Sequence, residues 1–327
     1  MNSITVNSLP AQTWNRLDIN DAVVETANFA ALCEGGTTDN DIDVKTGMGA
    51  EFDSAVSSVP VFRFENSGKT VVNEYIFTNT ERNVRRDSAV LSEDEELTVI
   101  QRFSADVTGG IFAVQTKIRL AKGSKLTLVQ IQKMGSNTFY NDIGAELDKE
   151  AEFRLIQIML SDSGSYTGVR VAQNGDNSVF DSNIAYKAGG DSKFDVNYVV
   201  DQYGKNTNSN IICNGVLYGN VVKTFRGTID FKEGASGSKG AENEDVLLMD
   251  DTVRNKTIPI ILCHEEDVEG THGATIGRID DEELFYMQSR GIGEKAVYEL
   301  LADARISAAA ALIPDEDTKN SVLESLS

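Results

Sequence analysis

From about Val59 onward, apolar and polar residues alternate in short runs separated by Gly, Asn, Asp and Ser, and the runs recur. KLTLVQIQ from Lys125, EFRLIQIM from Glu152 and VFDSNIAY from Val179 begin at a step of 27 residues, and NSNIICNG from Asn208 follows after 29. A second series lies between them: YTGVRVAQ from Tyr166, KFDVNYVV from Lys193 and VKTFRGTI from Val222, again 27 and then 29 apart. Alternation with period two is the mark of a strand, and Gly123-Ser124, Gly189-Gly190 and Gly234-Ala235-Ser236-Gly237 supply turns. A two-strand unit repeated at a fixed step predicts a solenoid, because strands this short bury a face only by stacking on the next coil. The four prolines of the chain leave long ladders of backbone donors intact. The pattern therefore predicts a mainly β protein with a β-solenoid core over residues 59–279. Spacing alone leaves an antiparallel sandwich with regular turns open as the alternative.

The ends read differently. Residues 1–58 form a mixed or helical N-terminal segment. In it Ala22, Val23, Ala27, Ala30 and Ala31 give Asp21–Leu32 helical spacing, broken by Gly35-Gly36, and Trp14 is an anchor against the body. Residues 280–327 form a C-terminal helical segment. Asp280–Glu283 reads as an acidic helix start and Gly291 as its stop. From Glu294 to Leu312, residues Val297, Leu300, Leu301, Ala304, Ala308, Ala311 and Leu312 share one apolar face that ends before Pro314. The last thirteen residues, DEDTKNSVLESLS, read as polar and frayed.

Charge narrows the choice of partner. With 51 acidic and 30 basic residues the formal net charge is −21, so nucleic acid and anionic membrane surfaces would be repelled. No apolar run approaches membrane-span length, and MNSITVNSLPAQTWNRLDIN lacks the basic and apolar regions of a signal peptide. Three widely spaced cysteines, Cys33, Cys213 and Cys263, do not suggest a disulfide framework, and a reducing cytoplasm is expected. Phosphate-binding GxxxxGK[ST] loops, CxxC pairs, nucleophile elbows and HExxH are absent from the sequence.

What chemistry the chain carries is concentrated in Lys256–Ile292. Both histidines of the protein, His264 and His272, lie there with Cys263 and the carboxylates Glu265, Glu266, Asp267 and Glu269. Iron–sulfur clusters are held mainly by thiolates, with histidine or carboxylate as substitutes. A single local cysteine cannot hold a four-ligand cluster. The residues therefore point to a transient site shared across a subunit interface, with no tightly bound cofactor. Cys263 also fits a small apolar residue at the end of the Ile258–Leu262 run. His264 is expected to face solvent, and Cys213 and Cys33 are expected to be packing residues.

The same window carries a resemblance. The run HGATIGRIDDEELFY, closed by SRGI, closely resembles the C-terminal signature of the SufB/SufD family of iron–sulfur cluster assembly proteins, and TWNRL near the N-terminus resembles that family's leading segment. The resemblance implies a right-handed parallel β-helix and a non-catalytic scaffold. It implies a SufB-like paralogue or a second copy as pairing partner, SufC-like ABC ATPases docked on the C-terminal helices, and a cysteine desulfurase as sulfur donor. His272 matches the SufD-type histidine before G-A-T that the family places at the pairing interface. Gly270 stands where SufD-type relatives often carry cysteine, and Glu244 aligns near the assembly cysteine of SufB-type relatives, so the chain is SufD-like. His272, Cys263 and Glu244 are thus candidates for one pairing surface, His272 and Cys263 being the transient metal ligands. Leu284, Phe285, Met287 and Arg290 are the candidates for ATPase docking. Two other classes fit less well. A β-helix carbohydrate-active enzyme would need paired carboxylates on one strand face, which Asp181, Asp195 and Asp230 do not form. A purely structural solenoid would leave the SRGI helical tail unexplained.

Overall fold

The computed structural model describes residues 3–13, 15–32, 37–64 and 69–325, so Trp14, Cys33 and Gly35-Gly36 lie outside the described residues. Beyond the N-terminal segment, strands are dealt alternately to two sheets. Sheet I holds Thr38–Asp39, Val61–Arg63, Val84–Leu91, Ile111–Leu120, Thr138–Leu147, Ser165–Gln173, Lys193–Gln202, Val222–Phe231 and Arg254–Cys263. Sheet II holds Thr70–Phe77, Glu96–Ala105, Lys125–Lys133, Glu152–Ser161, Val179–Ala188, Asn208–Leu217, Ser238–Leu248 and Val268–Gly277. Within each sheet the strands run parallel in chain order, apart from Thr38–Asp39, which pairs antiparallel with Val61–Arg63. This is a parallel β-solenoid, and the antiparallel sandwich is excluded.

The first strand series is reproduced residue for residue: Lys125 pairs with Glu152, Glu152 with Val179, and Val179 with Asn208. In the second series Lys193 pairs with Val222 as spaced, but Tyr166 pairs with Asp195, not Lys193. That slip is of two residues. It leaves every side chain on the same face, so hydrophobic alternation has no means of detecting it.

Alternation places one set of side chains between the sheets and the other outside. On Glu152–Ser161, Phe153, Leu155 and Met159 join the interior core with Leu126, Phe180 and Phe194, while Ile156 and Ile158 face outward. The outer faces are covered in turn. Over sheet I lie the antiparallel pair Ser3–Val6 and Ala22–Glu25 and the helix α1 (Ala50–Val56), packing Val6, Val24, Phe52 and Val56 against Ala113 and Tyr140. The chain at Gly47–Met48 lies flat on that sheet because Gly168 is beneath it. A Cβ at Gly168 would collide with the Met48 backbone nitrogen.

Three helices close the C-terminus: α2 (Asp281–Ser289), α3 (Glu294–Ala310) and α4 (Glu316–Glu324). The Asp280 side chain accepts from the Glu282 N–H at 2.8 Å and starts α2, and Gly291, with φ +86°, follows its end. Ile306, Ala309, Ala310 and Ile313, with Val322 of α4, cover Val129, Ile131, Ile156 and Ile158 of sheet II. Burying an isoleucine side chain contributes about 1.5–3 kcal/mol. This apolar seam is therefore what holds the C-terminal helices to the solenoid.

Three local expectations are corrected. The α3 face read from the sequence is not the buried one: Leu300, Ala304, Ala308, Ala311 and Leu312 are exposed, and Val297, Tyr298, Ala302, Ile306, Ala309 and Ala310 are buried, because that stripe is the one that meets the solenoid. Asp21–Leu32 is not a helix; Ala22–Glu25 is a strand and residues 26–30 carry no regular structure, with Ala31 bridging to Val84. Its alanine spacing gave way to a backbone that pairs with Ser3–Val6 and buries Val24, an instance of tertiary contacts overriding weak local preference. Residues 315–325 are not frayed. Asp315 accepts from the Thr318 N–H at 2.8 Å, and Arg102 donates to the Thr318 hydroxyl at 2.5 Å, tying α4 to sheet II.

Candidate functional site

The strands Arg254–Cys263 and Val268–Gly277 are the last of their sheets, so each has a strand neighbour on one side only. They form the open end of the solenoid. Along Ser238–Leu248, one coil in, Ser238, Gly240, Glu242, Glu244 and Val246 are buried, while Lys239 and Asn243 are exposed. The first set faces the interior. Register then carries that parity outward: Glu242 pairs with His272 and Glu244 with Ala274. His272 is exposed not because it points away from the solenoid but because no further coil covers it. Gly270, Gly273 and Ala274 beside it leave the edge unobstructed.

Cys263 is also exposed, at the end of the sheet I strand and in register with Phe231. It therefore shares the terminal coil with His272 but stands on the opposite sheet. His264 follows it, 59% exposed, with Nε2 3.5 Å from the buried carboxylate of Asp230. Among the described residues, no group of three or more His, Cys, Asp or Glu is arranged to hold a metal ion. One chain by itself presents separated donors, not a closed cage.

Glu244, expected on the same surface as His272, lies one coil in and is 3% exposed. It forms a buried ion pair with Lys223 and accepts from the Thr257 hydroxyl at 2.6 Å and the Tyr186 hydroxyl at 3.4 Å. Burial pulls the Lys223 ammonium down, with Glu244 opposing. Cys213 is in register with Glu244 and equally enclosed, and burial pushes its thiol well up, away from the reactive thiolate form. Its expected core position is where it stands.

Sequence reasoning missed Glu242. It is 2% exposed, and neither carboxylate oxygen has a hydrogen-bond partner among the described residues. Burial, and then the neighbouring Glu244, push its carboxyl up to about 7, with Lys223 opposing. The only signal was parity: in GAENED, Glu242 and Glu244 share a face, and that face is the interior.

The docking candidates lie on and after α2, whose cluster with α3 packs on Val216 and Leu247 of sheet II. On α2, Leu284 and Met287 pack partly against Ile279 and Val297, whereas Phe285 is 72% exposed. The Arg290 guanidinium stacks on Tyr286, 4.9 Å from the ring centre. An apolar groove between α2 and α3 is floored by Ile279, Met287, Val297 and Leu301 and rimmed by Glu282 and Glu283.

The fold is thus a parallel β-solenoid with an open terminal coil, an exposed histidine on that edge and helices packed on its flank. Residues 76–305 match the family described as SUF system FeS cluster assembly, SufBD core domain, and the chain belongs to that family. It is similar to the iron–sulfur cluster assembly protein SufD of Bacillus subtilis, 20% identical over 254 residues, which is 76% of this chain and 58% of that one. To SufD of Escherichia coli it is 34% identical over 99 residues, 30% of this chain and 23% of that one. An iron–sulfur cluster assembly SufBD family protein of Mycobacterium tuberculosis is 31% identical over 129 residues, 39% of this chain and 15% of its own length. The matches thus span less than two thirds of these relatives. Among the described residues no helix is long and apolar enough to cross a membrane.

Proposed function

We propose that this chain is a SufD-like scaffold subunit of cytoplasmic iron–sulfur cluster assembly, working beside a separate ABC ATPase and not itself an enzyme. The observation that carries the reading is the open terminal coil, with His272 in interior register at an unpaired strand edge. An edge of this kind offers unsatisfied backbone groups to another chain, and a SufB-like paralogue is its partner. The cluster under construction is cargo, met by His272 and, from the opposite sheet, by Cys263, with a partner's thiolates supplying the donors this chain lacks. Sulfur reaches it from a cysteine desulfurase. Leu284, Phe285, Met287 and Arg290 on and after α2 form the surface for the ATPase, with exposed Phe285 as its aromatic anchor.

The test is reconstitution with a SufB-like subunit and a SufC-like ATPase. His272→Ala should leave pairing and ATPase docking intact and lower the rate of cluster formation at least tenfold. A His272→Ala complex that builds cluster at the normal rate removes His272 from the chemistry.

A further inference from the structure

An ionisable carboxyl enclosed in a solenoid with both oxygens unpartnered is costly, and Glu242 is such a group. Its neighbours on the interior face account for their own charges: Glu244 takes Lys223 and the Thr257 hydroxyl, and Cys213 is a buried thiol. Across the interior, the Glu242 side chain lies over Gly227. A Cβ there would meet its Cγ at 3.1 Å and its Cδ at 3.2 Å, so the carboxyl occupies a recess that glycine leaves for it. On the remaining side, toward the open end, the register neighbour of Glu242 is His272. Among these neighbours the imidazole is the donor still uncommitted.

We infer that Glu242 is the positioning residue of His272: the two make no hydrogen bond in this structure, and a turn of the Glu242 side chain toward the open end brings its carboxylate to the N–H of one imidazole nitrogen and leaves the other nitrogen, as a lone-pair donor, directed out of that end. A carboxylate behind a ligating histidine fixes the tautomer and raises the basicity of the free nitrogen. Glu242 touches no cargo in this arrangement; it acts through His272, and the inference rests on the reading that His272 faces the assembly surface.

The chain has two histidines, so labelling it with 15N-histidine yields two imidazole signatures, assigned by the loss of one in His264→Ala. At about pH 8, where a free imidazole is neutral, His272 should show one N–H nitrogen and one lone-pair nitrogen with distinct shifts. Glu242→Ala should collapse the His272 pair toward the averaged pattern of a free imidazole such as N-acetylhistidine, and Glu242→Gln, which keeps one acceptor oxygen, should fall between. Gly227→Ala displaces the carboxyl from across the interior and should perturb the same signals with both partners still present. Averaged His272 signals in the wild type, or distinct signals that survive Glu242→Ala, overturn the inference. Cluster assembly by His272→Ala is scored separately. Normal assembly there refutes the role of His272 and leaves the tautomer result standing, whereas lost assembly with an unaltered Glu242→Ala spectrum refutes only Glu242.

Discussion

Lys223 and Glu244 form an ion pair with no solvent exposure on either side chain, inside the solenoid and one coil from its open end. Removing one partner strands a buried charge. Lys223→Ala should therefore cost about 3–5 kcal/mol in urea unfolding, while Lys223→Met combined with Glu244→Leu should recover most of the loss. A single variant as stable as the wild type would mean that the pair is not buried in solution.

A second polar feature runs through the middle coils. Gln157 donates to Gln130 at 2.7 Å, Gln130 donates to Gln101 at 2.7 Å, and Asn141 donates to Gln130 at 2.6 Å, all in the interior. Gln130→Ala leaves several buried amide groups unsatisfied at once and should lower stability by about 2–4 kcal/mol. A thermal midpoint indistinguishable from wild type would show that the ladder contributes nothing.

Asp142 provides a pH signature. It accepts from the Met48 N–H at 2.8 Å and from Gln115 at 2.9 Å, yet burial outweighs these bonds and pushes its carboxyl up to about 6 from an ordinary 3.8. A raised carboxyl favours the folded state while protonated, so its contribution is fully present below the unfolded value and is lost as pH rises through about 6. The stability of the wild type relative to Asp142→Asn should fall by about 3 kcal/mol across that window. Urea midpoints of the two proteins at several pH values check it, and a wild type that gains on the variant as pH rises contradicts the assignment.

The docking surface separates from stability. Phe285→Ala removes an exposed ring and should change unfolding by under about 0.5 kcal/mol while weakening ATPase binding by about 2 kcal/mol or more. Calorimetric titration of the ATPase distinguishes this from a residue idle on the surface. Truncation after Ile279 is the blunter variant, and it carries a structural cost. Without α3 and α4, Ile131, Ile156 and Ile158 lose their cover. That chain should bind a hydrophobic dye and unfold earlier, as well as losing the ATPase.

Sequence alone determined those features that repeat or that depend on near neighbours. Steps of 27 and 29 residues are coil lengths, and they are written locally because each unit carries its own burial pattern; the helical period of Glu294–Ala310 was equally legible, but which stripe of it is buried was not, since Val297 is covered while Leu300, Ala304 and Ala308 are exposed. The start of α2 at Asp280 and its stop near Gly291 were legible for the same reason. Contacts between coils decided the rest. Ala22–Glu25 became a strand because Ser3–Val6 offered it a partner, and Tyr166 met Asp195 because a two-residue slip leaves no mark in an alternating pattern. Glu244 and Cys263 look alike as candidate donors in sequence. Only stacking shows that one is sealed behind the last coil with Lys223 and the other is open to solvent. Glu242 acquired meaning only when its register neighbour proved to be His272. Pairing across a solenoid joins residues about thirty positions apart: the repeat step gives its approximate spacing, and only the stacked coils fix its register and which side chains they seal.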